Sequence, residues 1–274
     1  MQMTVIRQQY NDLIAHHYDL DPLSLIADSQ ECAIGQMLNA DFFATRHGER
    51  IDVLDLGMGT GTFLEKVMAS ADDVQPFGLD LSDSMAKIAS ERIPKLQFRI
   101  GDAANFDQHF PEQQFDLIST HFITGFVATE HLAPLIAKRL KPGGVWSFVG
   151  SSQAAYPVLR MYANNRFLRM LLGGARTSME NLLSPRDEHH LGNMMRDVGL
   201  EVLASDTQTP QLKFETFAEF MVFAYDGGWL TPYIEDLGLH KAGKATRALL
   251  NELIFPMSDQ HNILHGVAQK NSAV

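Results

Sequence analysis

"VLDLGMGTG", residues 53–61, is an apolar run that meets a loop with glycine at every second position. The glycines are Gly57, Gly59 and Gly61, and the run carries a single acid, Asp55. "IDVLDLG" reads as a short strand entering the turn. "TFLEKVMAS" (62–70), with Phe63, Leu64, Val67 and Met68 on one side, reads as the helix that leaves it. Such a strand–turn–helix aims backbone N–H groups and a helix N-terminus at the carboxyl edge of the sheet, where open parallel sheets hold ligands. Glycine removes Cβ, so the backbone there can approach a ligand closely or take positive φ.

The details of the turn narrow the ligand. A dinucleotide fingerprint needs G-x-G-x-x-G, but here the third glycine comes one residue early and position 62 is Thr. Asp55 would repel a pyrophosphate, whereas opposite charges at about 4 Å attract by ~1–4 kcal/mol depending on screening. The expected ligand is a positively charged nucleoside without phosphate. S-adenosylmethionine, with an ammonium, a sulfonium and an adenosine, fits. Asp80 in "GLDLS" closes the next strand, where an acid accepts hydrogen bonds from ribose hydroxyls. Asp102 in "GDA" can accept from an adenine amino group, and the Ala103 N–H can donate to the ring.

Strand and helix alternate onward from this stretch: "QPFGLDLS" (75–82), a helix "SDSMAKIASERI" (82–93) capped by Ser82, "LQFRIGDA" (96–103), "FDLISTHF" (115–122), "TEHLAPLIAKRL" (129–140), a "KPGG" turn (141–144) and "VWSFVGS" (145–151). Short connections between alternating elements imply a parallel sheet covered by helices on both faces. Residues 1–48 read as helices. After 151 come apolar helical stretches, then a helix expected to start with Ser184 as cap and Pro185 at its first position, then "LEVLASDTQTPQLKF" as a strand and "HNILHGVAQK" (261–270) as a closing strand. The expected organisation is an N-terminal helical cap (1–48), the cofactor-binding half of a Rossmann-like domain (49–152), a helical lid insertion (153–185), and the remainder of the sheet (186–274) with a second helical insertion at about 216–256.

Composition limits the partners. The chain has 274 residues, enough for one large core, and its formal net charge of -11 disfavours nucleic acid. Its one cysteine, Cys32, and the scattered histidines give no zinc-type spacing, so no metal is expected. No apolar stretch approaches the ~20 residues that span a bilayer, and the N-terminal residues show no signal core, so a soluble cytoplasmic protein is expected.

Taken in order, "VLDLGMGTG", "GLDLSDSM", "GDA", "FDLIST" and "LKPGG" resemble the class I S-adenosylmethionine-dependent methyltransferases. The resemblance is strong over residues 50–150. It is looser at the flanks, where it rests on Tyr10, Ala15, Tyr18 and Asp19 and on "HGVAQK". It implies a Rossmann-like doubly wound α/β sheet, mostly parallel with an antiparallel last strand, plus helical cap and lid insertions. It also implies Asp55, Gly57, Gly59 and Gly61 around the methionine part, Asp80 on the ribose, and Leu81 and Met85 against the adenine. Asp102 and Ala103 would sit at the adenine edge, Thr120 and His121 near the methyl group, and Tyr18 over the methionine carboxylate.

Methyl transfer from a sulfonium needs chiefly alignment and exclusion of water, with a base only where the nucleophile arrives protonated. His121, just after the fourth strand, is the first candidate for that base or for a group that orients the acceptor; His16, His17, His189, His190 and His265 rank below it. Apolar and aromatic residues of the insertions, among them Tyr156, Met161, Tyr162, Phe167, Met170, Phe217, Phe220, Met221, Phe223, Tyr225 and Trp229, suit a lid over a small organic acceptor. "STHF" stands where amino-group methyltransferases of adenine or glutamine carry "NPPY", so O-methylation of a small molecule leads, with N- and C-methylation open. The competing readings are a non-catalytic protein that retains the cofactor fold and a nicotinamide-dependent oxidoreductase. The oligomeric state is left open.

Overall fold

The computed structural model describes residues 3–166 and 183–271. Two helices, α1 (Met3–Asp12) and α2 (Leu25–Asn39), precede the sheet. Then come β1 (Arg50–Leu56), α3 (Thr62–Ser70), β2 (Asp73–Asp80), α4 (Asp83–Arg92), β3 (Gln97–Ile100), a short α5 (Phe106–His109), β4 (Phe115–His121), α6 (Thr129–Arg139) and β5 (Leu140–Ser151). The chain continues through α7 (Pro157–Ala163), α8 (Glu188–Asp197), β6 (Leu200–Gln208) and β7 (Gln211–Phe214). Last are α9 (Phe217–Met221), α10 (Thr231–Asp236), α11 (Lys244–Ile254), β8 (Met257–Gln260) and β9 (Ile263–Lys270).

Seven strands form one sheet in the order β3-β2-β1-β4-β5-β9-β6. β9 runs antiparallel to both β5 and β6, and the other pairings are parallel. The expected mixed sheet with a reversed last strand is thus the observed one. Its central strands are near-continuous apolar runs because both faces are covered. Successive residues alternate between the layers. Ile51, Val53, Leu117 and Val149 pack with Phe63, Leu64 and Val67 of α3. Leu54, Leu56, Ile118 and Phe148 pack on the other side with Trp146, Leu132 and Ile136.

Three local expectations are corrected. Lys141–Gly144 is not a turn before β5 but an irregular start of that strand. Its register against β4 shifts between Phe115 and Leu117, and Gly143 absorbs the shift at φ +75°. The helix expected to begin at Pro185 begins at Glu188, because the Asp187 carboxylate accepts the His190 N–H at 2.8 Å and caps it there. "LEVLASDTQTPQLKF" is two strands in different sheets. Pro210 stands at the break, and β7 pairs with β8 in a separate two-stranded ribbon.

The helices between β7 and β8 have their own apolar core of Phe214, Phe217, Phe220, Phe223, Leu230, Ile234 and Leu250, which reaches Leu159 of α7. Of the aromatics expected in a lid, Phe217, Phe220 and Phe223 are thus committed to packing. Phe167 and Met170 lie outside the described residues. No helix among the described residues is long and apolar enough to cross a membrane.

Gly57 stands at φ +73°, and a Cβ there would lie 2.1 Å from Ile123 Cγ2. Gly48, at φ +77°, has open space around it. Gly48→Ala should therefore cost only the backbone strain, about 1 kcal/mol, whereas Gly57→Ala should lower stability by roughly 2–4 kcal/mol because Ile123 must also move. Urea unfolding of the two variants checks this, and equal losses would remove the steric account.

Candidate active site

The glycine turn is tied to its neighbours before any ligand arrives. Gly57 N–H and Met58 N–H both donate to Leu79 O, at 2.7 and 3.2 Å, so the turn is anchored to β2. Asp80, the last residue of β2, takes the Gly59 N–H on one carboxylate oxygen and the Ser82 N–H on the other, each at 2.8 Å. The Ser82 hydroxyl in turn accepts the Met85 N–H at 3.1 Å and caps α4, as its position in the sequence suggests. One side chain thus fixes the turn, the end of β2 and the start of α4. Each of its oxygens keeps acceptor capacity for a ligand.

The N-terminal segment closes over this edge by polar contacts. Arg7 of α1 pairs with Asp83, and Asn11 Oδ1 accepts from the Ser82 hydroxyl at 2.6 Å and the Ser84 N–H at 3.2 Å. Asp19 receives the Thr60 hydroxyl at 2.5 Å and Arg92 Nη2 at 2.6 Å, while Arg92 Nη1 also donates to Thr60 O at 2.9 Å. This clamp sets Tyr18 over the turn, where its Cε1 would lie 3.4 Å from a Cβ on Gly59.

Two cavities meet at the carboxyl edge. The first, of about 90 Å³, is lined by Tyr18, Gly57, Gly59, Asp80, Leu81, Met85, Asp102, Ala103 and His121, so nine of the twelve sequence-derived site residues converge there. Asp102 also caps the turn that follows it, accepting the Ala104 N–H at 2.9 Å. Ile6, Arg7, Tyr10, Phe122, Ile123, Phe126 and Val127 also line this cavity. Sequence reasoning did not assign these as site residues. For Tyr10 the signal existed, since it opens the flanking pattern; for 123–127 no motif marks them.

Asp55, Gly61 and Thr120 do not line the cavity. Asp55 is buried one layer behind it and accepts the Ser119 hydroxyl at 2.7 Å. Gly61 begins α3 against Ala89. Thr120 is fully buried and accepts the Trp146 Nε1–H at 2.8 Å. Neighbouring residues of a strand point to opposite faces, so Thr120 and His121 do not share a site.

The second cavity, of about 190 Å³, shares Tyr10, Tyr18, Phe122 and Phe126 with the first and extends under the lid to Thr124, Ser151, Ser152, Gln153, Tyr156, Trp229, Tyr233 and Asp236. Phe122 and Tyr156 hold left-handed backbone, at φ +57° and +58°. Bulky residues there cost roughly 1–3 kcal/mol each, and both line this chamber. Phe122 meets Trp229 edge-on at 5.0 Å.

The electrostatics favour a cation. Burial pushes the Asp55 carboxyl up to about 7, against the lowering effect of Ser119, and pushes Asp80 up to about 6, against its backbone donors. Neither acid makes an ion pair among the described residues. His121 bonds Ser147 Oγ at 3.0 Å through Nε2, packs on Phe63 at 4.1 Å, and is lowered to about 3 by burial and by His265. It is therefore a neutral side chain on the first cavity's wall, and it does not line the second.

This sheet order, with a glycine turn after β1 and an acid closing β2, is the arrangement that the sequence resemblance to the class I methyltransferases implies. The family model described as a methyltransferase domain matches residues 53–144, about a third of the chain. Among curated relatives, a dTDP-4-amino-2,3,4,6-tetradeoxy-D-glucose N,N-dimethyltransferase of Saccharopolyspora spinosa is 37% identical over 106 residues, which is 37% of this chain and 41% of that protein. A trans-aconitate 2-methyltransferase of Methylobacterium radiotolerans is 32% identical over 109 residues, 39% of this chain and 41% of that protein. The chain thus aligns with about two fifths of the length of these relatives. The YcgJ protein of Bacillus subtilis has a similar fold, with a TM-score of 0.55 at 20% identity, covering 87% of this chain and 100% of that one.

Asp19→Asn should weaken the Arg92 grip and loosen the segment that carries Tyr18. Hydrogen exchange of the amides of residues 14–20 is expected to quicken at least severalfold while that of β1 and β4 is unchanged. Uniform exchange across all of these would refute the clamp.

Proposed function

We propose that this protein transfers a methyl group from S-adenosylmethionine to a small organic acceptor, with a hydroxyl oxygen as the leading nucleophile. The observation that carries this reading is a pair of desolvated acids that make no ion pair among the described residues, Asp80 on the wall of the cavity at the glycine turn and Asp55 one layer behind it. A ligand with an ammonium and a sulfonium supplies the missing positive charge. Asp80's remaining lone pairs suit ribose hydroxyls, the apolar wall of Ile6, Leu81, Met85 and Val127 suits adenine, and Asp102 and the Ala103 N–H suit its edge. Tyr18 would cover the methionine carboxylate. When bound, the cofactor would supply an already activated methyl, leaving the protein to align and desolvate. In this reading His121 is a neutral orienting group and not a base.

The second chamber speaks against a carboxylate acceptor. Asp236 is the only charged residue that lines it among the described residues, and it would repel an anion. Asp236 also favours the second reading, methylation of an amine, which is the chemistry named for the amino-sugar relative. A nicotinamide dinucleotide is disfavoured, since its phosphates would meet Asp80 and Asp55.

Incubation with methyl-labelled S-adenosylmethionine and a host metabolite extract should yield a labelled small molecule. Binding of the cofactor without any labelled product would favour the non-catalytic alternative. Asp80→Asn is expected to weaken cofactor binding by at least tenfold in calorimetry, and unchanged affinity would contradict the ribose assignment. A cation bound beside Asp80 and Asp55 favours their ionised forms, so binding should release protons, and affinity should fall as pH drops from about 7.5 to 5 through their raised values. A dissociation constant flat across that range would sink the electrostatic account.

A further inference from the structure

We propose that Ser151 and His261 form a proton-accepting pair for a hydroxyl acceptor: Ser151 meets the acceptor's O–H, and His261 receives the proton that Ser151 gives up. The inference rests on the methyl-transfer reading and assigns its missing base.

Ser151 closes β5 at the carboxyl edge and lines the acceptor chamber. Its Oγ lies 2.6 Å from His261 Nε2. His261 is fully buried in the connection between β8 and β9. Its ring stacks on Tyr156 at 4.6 Å and 26° and meets Trp229 edge-on at 5.2 Å. The Tyr156 hydroxyl is 3.3 Å from both ring nitrogens, as expected for a group over the ring and not in its plane. The short bond to Ser151 is therefore the better aligned of the two. The backbone holds both members. His261 N–H donates to Pro210 O at 3.0 Å, Ser152 N–H to Asn262 O at 2.9 Å, and Tyr156 N–H to Gln260 O at 3.0 Å. Asp259, the nearest carboxylate in sequence, is occupied by the Val158 and Leu159 N–H groups.

The relay uses the tautomer with hydrogen on Nδ1, so that Nε2 accepts the Ser151 proton. Ser151 Oγ then presents lone pairs to the chamber and orients an acceptor that carries a hydrogen on its nucleophile. As the acceptor's lone pair forms the new bond to carbon, the carbon–sulfur bond breaks and its electron pair stays on sulfur. The acceptor's proton passes to Ser151 Oγ, and the Ser151 proton passes to Nε2. Burial lowers His261 to about 3, so the imidazolium does not persist. A weak base suffices because a hydroxyl oxygen becomes a strongly acidic oxonium once methylated. The proton then returns through Ser151 to the chamber. The other groups that face the ring are Tyr156 from the start of α7 and Trp229 from the lid, with Tyr233 and Asp259 acting on Tyr156.

Ser151→Ala, His261→Asn and His261→Gln test the pair. Two quantities are read: the dissociation constant of S-adenosylmethionine by calorimetry, and transfer of methyl label into the host metabolite extract from pH 6 to 10. Cofactor affinity should stay within about twofold of wild type. Transfer at pH 7 should fall by ~100-fold or more, the usual range for loss of a general base, and where the labelled product is a phenol ether the deficit should narrow above pH 9 as the phenol sheds its own proton. Full transfer by the variants, or a phenol-ether deficit constant across pH with intact cofactor binding, would overturn the relay and leave methyl transfer standing. If the His261 variants do not fold, Ser151→Ala decides alone. No labelled product from wild-type protein would instead defeat the methyl-transfer reading and the relay with it.

Discussion

The rest of the site depends on the Asp80 carboxylate. One oxygen holds Gly59 and the other holds Ser82, so a single buried acid joins the glycine turn, β2 and α4. Ser82 then binds Asn11 of the N-terminal helix, and the same network reaches the cap that covers the cavity. Burying an acid without a cation is unfavourable, and its raised affinity for protons reflects that. The two backbone donors offset part of the penalty. The remainder is a bias toward positively charged ligands, so the same group shapes the turn and selects what enters it.

The acceptor side is built on a different principle. Its walls are aromatic, and two of them, Phe122 and Tyr156, hold conformations that glycine adopts more readily. Phe122 sits just past the end of β4 and Tyr156 just before α7, and both line the chamber. Phe122 is held there by its N–H to Val149 O at 2.8 Å and by Trp229, and Tyr156 by Gln260 O and His261. Tertiary contacts thus over-determine each strained backbone, which is the usual condition for strain to persist at a ligand site.

The convergence of residues on the first cavity was legible in the sequence because that cavity is built from local segments. Gly57, Gly59, Asp80, Asp102 and Ala103 each lie within a few residues of a strand end, and strand ends can be read from apolar runs. Thr120 was misplaced because adjacency in sequence hides the period of two that sends it to Trp146. Pro210 shows the same limit, since it divides one apolar stretch between two sheets. The Ser151–His261 pair was not legible at all. Its members are separated by more than a hundred residues, and the antiparallel return of β9 beside β5 is what brings them together.

The narrow β7–β8 ribbon carries a helical unit that packs largely on itself. Mutations that reshape Trp229, Leu230 or Tyr233 would therefore strain that unit's own packing and leave the glycine turn and Asp80 undisturbed. On the proposed reading, an architecture of this sort would separate the piece that shapes the acceptor chamber from the one that holds the methyl donor. Such a chain can be retuned toward a new molecule by exchanging one appended piece.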